Sequence, residues 1–269
     1  MNAALFTKST TGLILASGLI AASSVLGHAQ DAPIALGTTA TYPLSAAYST
    51  VPTGQAVLGG HTFDMTAGTM LKLATSGSVS YAGSYQNATA VHLLLNSANT
   101  YTWYDGTPVG TVVLTFSDGT TQTSTLTVGG NLRDWYTGGF GVVTWANDPA
   151  VANPAPWTTT AVAGGTAVLD MLTIPVQGTG KTLTGVQLTN SNPYGGALTI
   201  DLSGLTVEFT APVPTPTPGA DCIRPGNSCN TPAAQNSQST KWQAPAAAPT
   251  TTAATTDSDK HANNGHHAH

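Results

Sequence analysis

Apolar and polar residues in this chain alternate mostly with a period of two, and up to residue 78 no helical period lasts longer than two turns. The strongest apolar run is residues 91–95, Val-His-Leu-Leu-Leu. It is apolar on both faces, which predicts a central strand covered on both sides. His92 would then lie in or near a sheet face as a hydrogen-bonded structural histidine. Downstream, Val112, Leu114 and Phe116 alternate, as do Leu126 and Val128. Both sets can face one core only if paired positions share parity. That condition selects a three-residue loop, Ser117-Asp118-Gly119, pairing Phe116 with Thr120 and putting Gly119 where a positive φ is needed.

Further strands are predicted around residues 34–36 at an edge and at 57–64 around the Gly59-Gly60 pair. Others follow at 70–74, closed by Ser76-Gly77-Ser78, and at 142–145, 168–176, 183–188 and 198–209. In the last, Leu198, Ile200 and Leu202 share one parity and Leu205, Val207 and Phe209 the other, with Ser203-Gly204 at the switch, so a bulge is expected there. Eight or nine strands with short turns and no helical crossovers predict an all-β fold, an antiparallel β-sandwich or jelly roll. The exception to short connections is residues 146–157, rich in Pro and Asn and irregular on to about Gly165. A loop of that length is functional or mobile.

The ends read differently. Residues 1–29 have the form of a secretory signal peptide, with Lys8, an apolar stretch at 11–26, and Gly27 and Ala29 at −3 and −1 of a cleavage before Gln30. The expectation is a secreted or cell-surface-associated protein with no membrane insertion after cleavage. Residues 30–211 form the β-sandwich domain. From Pro212 the chain becomes a stiff Pro-Thr linker and then an Ala/Thr/Asn/Gln/Ser tail, expected to be disordered over 212–269. Cys222 and Cys229 are the only cysteines, and in an oxidising compartment they are expected to form a small local disulfide; two thiols are too few for a zinc site. The final HANNGHHAH places His261, His266, His267 and His269 together. Such a tract is a weak site for zinc, copper or nickel, a solvated tail, or an appended tag.

Composition narrows the function classes. Only 7% of residues are charged. Between Asp31 and Ala211 nine acidic residues stand against three basic ones, a net −6, which disfavours nucleic acid as a partner. No Gly-x-Ser-x-Gly and no catalytic-type cysteine is present. A glycosidase needs two carboxylates about one bond. Glu208 is the sole glutamate, and Asp105, Asp118 and Asp148 sit in turn contexts. Asp134, Asp170 and Asp201 have no such explanation, yet nothing places two of them together. A polysaccharide hydrolase with an Asp-based site is the least favoured reading, and the protein is expected not to be an enzyme.

Aromatic residues make the better case. Trp and Tyr rings stack on the CH faces of sugars, while Asp, Asn and Arg bind the hydroxyls. The segment 99–106 supplies Tyr101, Trp103, Tyr104 and Asp105; the corner 131–136 supplies Arg133, Asp134 and Trp135; Trp145 and Trp157 flank the long loop. For Arg133-Asp134-Trp135 the favoured reading is a structural lock at a corner of the sandwich, and the alternation of Tyr101 and Trp103 equally fits core positions. Asp and Asn side chains in these loops could hold a structural calcium ion; no other cofactor is implied.

The run VHLLLN at 91–96, Val109-Gly110-Thr111 with Phe116-Ser117-Asp118-Gly119, and Gly130-Asn131-Leu132-Arg133-Asp134-Trp135 resemble galactose-binding-like jelly-roll domains, of the carbohydrate-binding-module type, in secreted bacterial proteins. LGGHTFD at 58–64 is similar to a stretch near the start of such domains, and Gly180-Lys181-Thr182-Leu183 with Leu205-Thr206-Val207-Glu208 to their closing strands. The resemblance implies a β-sandwich and suggests a polysaccharide or glycan ligand, without transferring a binding site. The alternative is a structural or adhesive surface or matrix protein, self-associating through sheet edges, for which Asn87-Ala88-Thr89 and the Thr-rich tail offer glycan acceptors.

Overall fold

The computed structural model describes residues 28–211. The expected signal peptide apart from His28 and Ala29, the tail, Cys222, Cys229 and the four tail histidines lie outside the described residues.

Two antiparallel sheets stack face to face. The larger runs in the order β12 (Met171–Pro175), β7 (Ala88–Ala98), β14 (Thr199–Thr210), β5 (Thr69–Leu73) and β2 (Tyr42–Pro43), with β1 (Ala29–Ile34) beside the second half of β14. The smaller runs β6 (Ser78–Tyr85), β13 (Leu183–Asn190), β8 (Pro108–Phe116) and β9 (Thr121–Thr127). From β5 to β8 successive strands alternate between the two sheets, and β12, β13 and β14 do so again. That alternation is the connectivity of a jelly roll. Helical structure among the described residues is limited to three single 3-10 turns.

The space between the sheets is filled as the pleat requires: alternate residues of each strand point inward. Val91, Leu93 and Leu95 of β7 and Ile200, Leu202, Leu205 and Val207 of β14 meet Val112, Leu114 and Phe116 of β8 and Val186 and Leu188 of β13. The β8–β9 hairpin has the register that parity predicts. Thr115 faces Thr121, Phe116 and Thr120 share a backbone hydrogen bond, and Gly119 has φ 79°. The bulge in β14 is also present, as a register shift against β7 between Leu202 and Gly204. It lets both apolar sets of β14 reach the same core.

A second core lies on the outer face of the larger sheet, where Leu94 packs with Leu44, Tyr48, Phe63, Met70, Leu169 and Met171. Two hairpins, β3–β4 (Gln55–Leu58, His61–Asp64) and β10–β11 (Trp157–Thr160, Thr166–Leu169), bring Leu58, Phe63 and Leu169 to it. β7 is thus covered on both faces, as its apolar run predicts.

Several expectations need correction. Residues 142–145 are not a strand: Val142 makes one isolated bridge to Tyr101, and Val143 bonds instead to Thr100 and Asp134, plugging the end of the core. Residues 168–176 form two strands rather than one, because the chain breaks at Asp170 in passing from the outer hairpin to the large sheet. β6 was not expected, since Val79 and Tyr81 are its only buried positions and its other residues are small or polar. Residues 157–160, expected to be irregular, form β10, and the described residues hold fourteen strands, ten of them in the two main sheets, rather than eight or nine.

Gly204 marks how tightly the bulge is built. A Cβ there would lie 2.9 Å from Leu94 Cδ1 and 3.0 Å from Phe63 Cδ1. Gly204→Ala should lower unfolding free energy by about 1–3 kcal/mol through overpacking, measured by urea denaturation. Gly119→Ala, where no atom lies within 4 Å and only the positive φ resists, should cost about 1 kcal/mol.

Candidate functional site

β7 ends at Ala98, and the chain turns through Asn99, whose φ of 58° is left-handed, into the aromatic segment. The Asn99 amide Nδ2 donates to Ala197 O at 2.8 Å, tying this loop to the one after β13. Tyr101 and Trp103 then stack, with ring centroids 4.4 Å apart and planes inclined by 19°. Trp103 is 68% exposed. Tyr104 is buried beneath it at 5.9 Å and meets Tyr194 edge-on at 5.8 Å; Tyr194 is itself 67% exposed. Asp105 lies on the rim. Its Oδ1 occupies the space a side chain at Gly129 would need, and Trp145 Nε1 is 3.0 Å from the same point, so a glycine there lets the carboxylate and the indole come together. Fully exposed Phe140 precedes Gly141, whose carbonyl accepts the Thr102 amide.

This end of the sandwich therefore presents a stacked Tyr101–Trp103 pair, an exposed Tyr194 and a carboxylate, held on a short-looped scaffold. Tyr194 and Phe140 were not among the residues singled out in the sequence. The signal for both was an aromatic side chain inside a Gly-rich turn, Pro-Tyr-Gly-Gly and Gly-Gly-Phe-Gly, where no strand pattern gives it a core position.

The corner 131–136 does something else. Arg133 grips Asp170 with two parallel hydrogen bonds, Nε to Oδ2 and Nη2 to Oδ1, both 2.7 Å, and Nη1 donates to Thr144 O at 2.8 Å. Asp170 is buried, accepts from Asn96 Nδ2 at 2.8 Å, and its own amide donates to Asn96 Oδ1. The bidentate bond to Asp170 holds the guanidinium even more firmly charged than usual. Asp134 is buried too, accepting from the amides of Thr100 and Tyr136, each at 2.9 Å. Burial pushes its carboxyl above the usual range, and those two hydrogen bonds pull it back. Trp135 tilts against Tyr48 at 5.4 Å, and both Trp135 and Trp157 pack on the outer core. Of the residues expected to bind ligand, Tyr101, Trp103 and Asp105 thus stand on the surface. Tyr104 underlies them, and Arg133, Asp134, Trp135 and Trp157 are engaged in packing and internal hydrogen bonds.

Corner and loop are nevertheless one unit. Ser97 exchanges backbone hydrogen bonds with Arg133 O and the Trp135 amide, the Asp134 amide donates to Val143 O, and the Val143 amide donates to Thr100 O. With the Asp134 carboxylate on the Thr100 amide, these bonds fix the base from which Tyr101 and Trp103 project. The remaining unexplained carboxylate, Asp201, accepts from Thr199 Oγ1 at 2.7 Å with Lys72 Nζ 3.4 Å away, and it too is buried.

Comparison with family models, with curated proteins and with solved structures finds no match for this chain.

Arg133→Met would leave the buried Asp170 carboxylate without its cation and should cost about 3–5 kcal/mol of stability. Trp103→Ala should stay within about 0.5 kcal/mol of the parent, because its side chain faces water. Guanidinium denaturation of the two variants distinguishes a lock from a surface platform.

Proposed function

We propose that this is an exported, non-catalytic carbohydrate-binding protein that receives a polysaccharide or glycan against Tyr101, Trp103 and Tyr194, with Asp105 as a hydroxyl partner. The observation that carries this reading is the solvent-facing stack of Tyr101 on Trp103. Leaving a tryptophan two-thirds exposed forgoes about 25 cal/mol for each Å² of apolar surface kept in water. Aromatic exposure concentrated at one end of a fold is a mark of a contact surface. A flat, stacked aromatic face with carboxylate and amide groups at its border suits a pyranose ring, whose CH face stacks while its hydroxyls hydrogen-bond. The likeness to galactose-binding-like domains belongs to this same reading, as do cleavage before Gln30 and the Cys222–Cys229 disulfide.

A second reading, a structural or adhesive protein assembling through sheet edges, is favoured by β9. That strand ends the smaller sheet, and its sequence, TQTSTLT, has none of the charges that usually guard an open edge.

A glycan array and polysaccharide pull-downs with the exported chain separate the two. Binding to a glycan class should weaken about tenfold in Trp103→Ala and in Tyr194→Ala with melting temperatures unchanged. Absence of binding to every glycan, together with concentration-dependent oligomers, would replace the first reading by the second. Turnover of any polysaccharide would overturn both.

A further inference from the structure

Far from the aromatic end, the outer face of the larger sheet carries a cluster made from rare side chains. The described residues contain three histidines and the chain's sole glutamate. Two of those histidines, His61 and His92, converge on that Glu208, with one ligand-capable atom of each residue within 4.8 Å of the others. The three come from β4, β7 and β14, and Asp31 of β1 joins them, since Asp31 and Glu208 are direct cross-strand partners.

The hydrogen bonds orient the rings. Asp31 Oδ2 accepts the Thr62 amide at 2.7 Å, which anchors the carboxylate, and Asp31 Oδ1 lies 3.0 Å from His61 Nδ1. A carboxylate accepts there, so His61 carries a proton on Nδ1, and Nε2, which hydrogen-bonds to no described residue, is the ring atom left to ligate. His92 Nδ1 is 3.1 Å from Thr173 Oγ1, a hydroxyl able to accept, and its Nε2 is 3.1 Å from Glu208 Oε2. Thr173 Oγ1–H can donate to Nδ1 while Nε2–H donates to the Glu208 carboxylate; when the hydroxyl accepts instead, Nε2 has its lone pair available for a metal ion beside Glu208 Oε2. A spacing of 3.1 Å is that of a hydrogen bond and is also close to the spacing of two ligand atoms on one small ion. Neighbouring ligand atoms on a tetrahedral zinc ion are separated by about 3.3 Å, from bond lengths of about 2.0–2.1 Å. The two imidazoles are stacked, 3.5 Å between centroids at 21°, and the side chains of His61 and Glu208 are each 24% exposed, so the cluster is open to water from one side.

We infer that His61 Nε2, His92 Nε2 and a Glu208 carboxylate oxygen form a binding site for one zinc-class divalent cation, with water as the fourth ligand. Asp31 and Thr173 are its positioning residues. A carboxylate behind a ligating histidine is the arrangement that fixes tautomer and raises ligand basicity in metal sites. Two imidazoles and one carboxylate match zinc and its later first-row neighbours. Calcium, which takes six to eight oxygens, is a poor fit to these donors. Closing on the ion requires His61 to slide from its stacked position, and its carrier β4 belongs to a two-stranded hairpin rather than to the main sheet. The bound ion would clip β1 and the β3–β4 hairpin to β7 and β14.

The test uses the full exported chain carrying His261→Ala, His266→Ala, His267→Ala and His269→Ala, so that the tail does not compete. Titration with zinc chloride by calorimetry should show one saturable site. A saturating excess should raise the melting temperature by about 5 °C, reversed by EDTA. Glu208→Gln and His61→Ala should lose at least about tenfold in zinc affinity, and Asp31→Asn about tenfold by releasing the His61 ring. Metal-free melting of all three should stay near the parent value. Affinity should fall as pH drops, because protons compete with the metal for its ligand atoms. No saturable zinc binding would overturn the inference, as would Glu208→Gln and His61→Ala binding as tightly as the parent, or calcium stabilising the chain equally well.

Discussion

The pairing of β7 with β14 is the interaction on which the rest of this molecule depends. Both strands are long, each pairs along most of the other, and both are covered on two faces. A strand buried on both sides has no solvent face on which to leave polar groups, so each outward side chain must be apolar or find a partner. On β7 the outward positions are His92, Leu94 and Asn96, met in turn by Glu208, the outer core and Asp170. On β14, Asp201 meets Thr199 and Lys72, and Thr206 donates to Thr62 O. The outer hairpins are thereby attached by specific polar contacts as well as by apolar area.

That arrangement explains why the fold keeps two kinds of potential binding surface apart. Loops at the end of the sandwich are free of ladder hydrogen bonds and can carry aromatic side chains into water. The outer face offers strand positions where side chains from β1, β4, β7 and β14 meet. The first has the shape for a large ligand with a flat face; the second gathers polar side chains of four strands, three of them on the main sheet and His61 on the outer hairpin.

The corner built on Arg133 shows how one motif can look chemical and be mechanical. Arg, Asp and Trp in succession are the residue types of a sugar site, yet the guanidinium fork is taken by Asp170 and the Asp134 carboxylate by two backbone amides. Its service to the aromatic loop is positional: it sets the base on which Tyr101 and Trp103 stand.

Much of the scaffold was legible in the residues alone, because strand parity is local. Period-two alternation located the three-residue loop at Ser117–Gly119 and the bulge at Ser203-Gly204, and its absence from the apolar run at 91–95 marked that strand as buried on both sides. A single residue out of register would have put a whole apolar set in water. Parity says nothing of β6, whose two buried residues are too few to make a pattern, nor of 142–145, whose apolar residues fill the end of the core without pairing. The aromatic loop was also visible, but Tyr194, 91 residues beyond Trp103, was not grouped with it, since their proximity depends on how the loops after β7 and β13 fold over one end. The same holds for Asp31, His61, His92 and Glu208. Each reads as an isolated polar residue in its own strand, and they meet because β1 and β7 flank β14 while β4 folds over them, a matter of strand order and not of spacing along the chain.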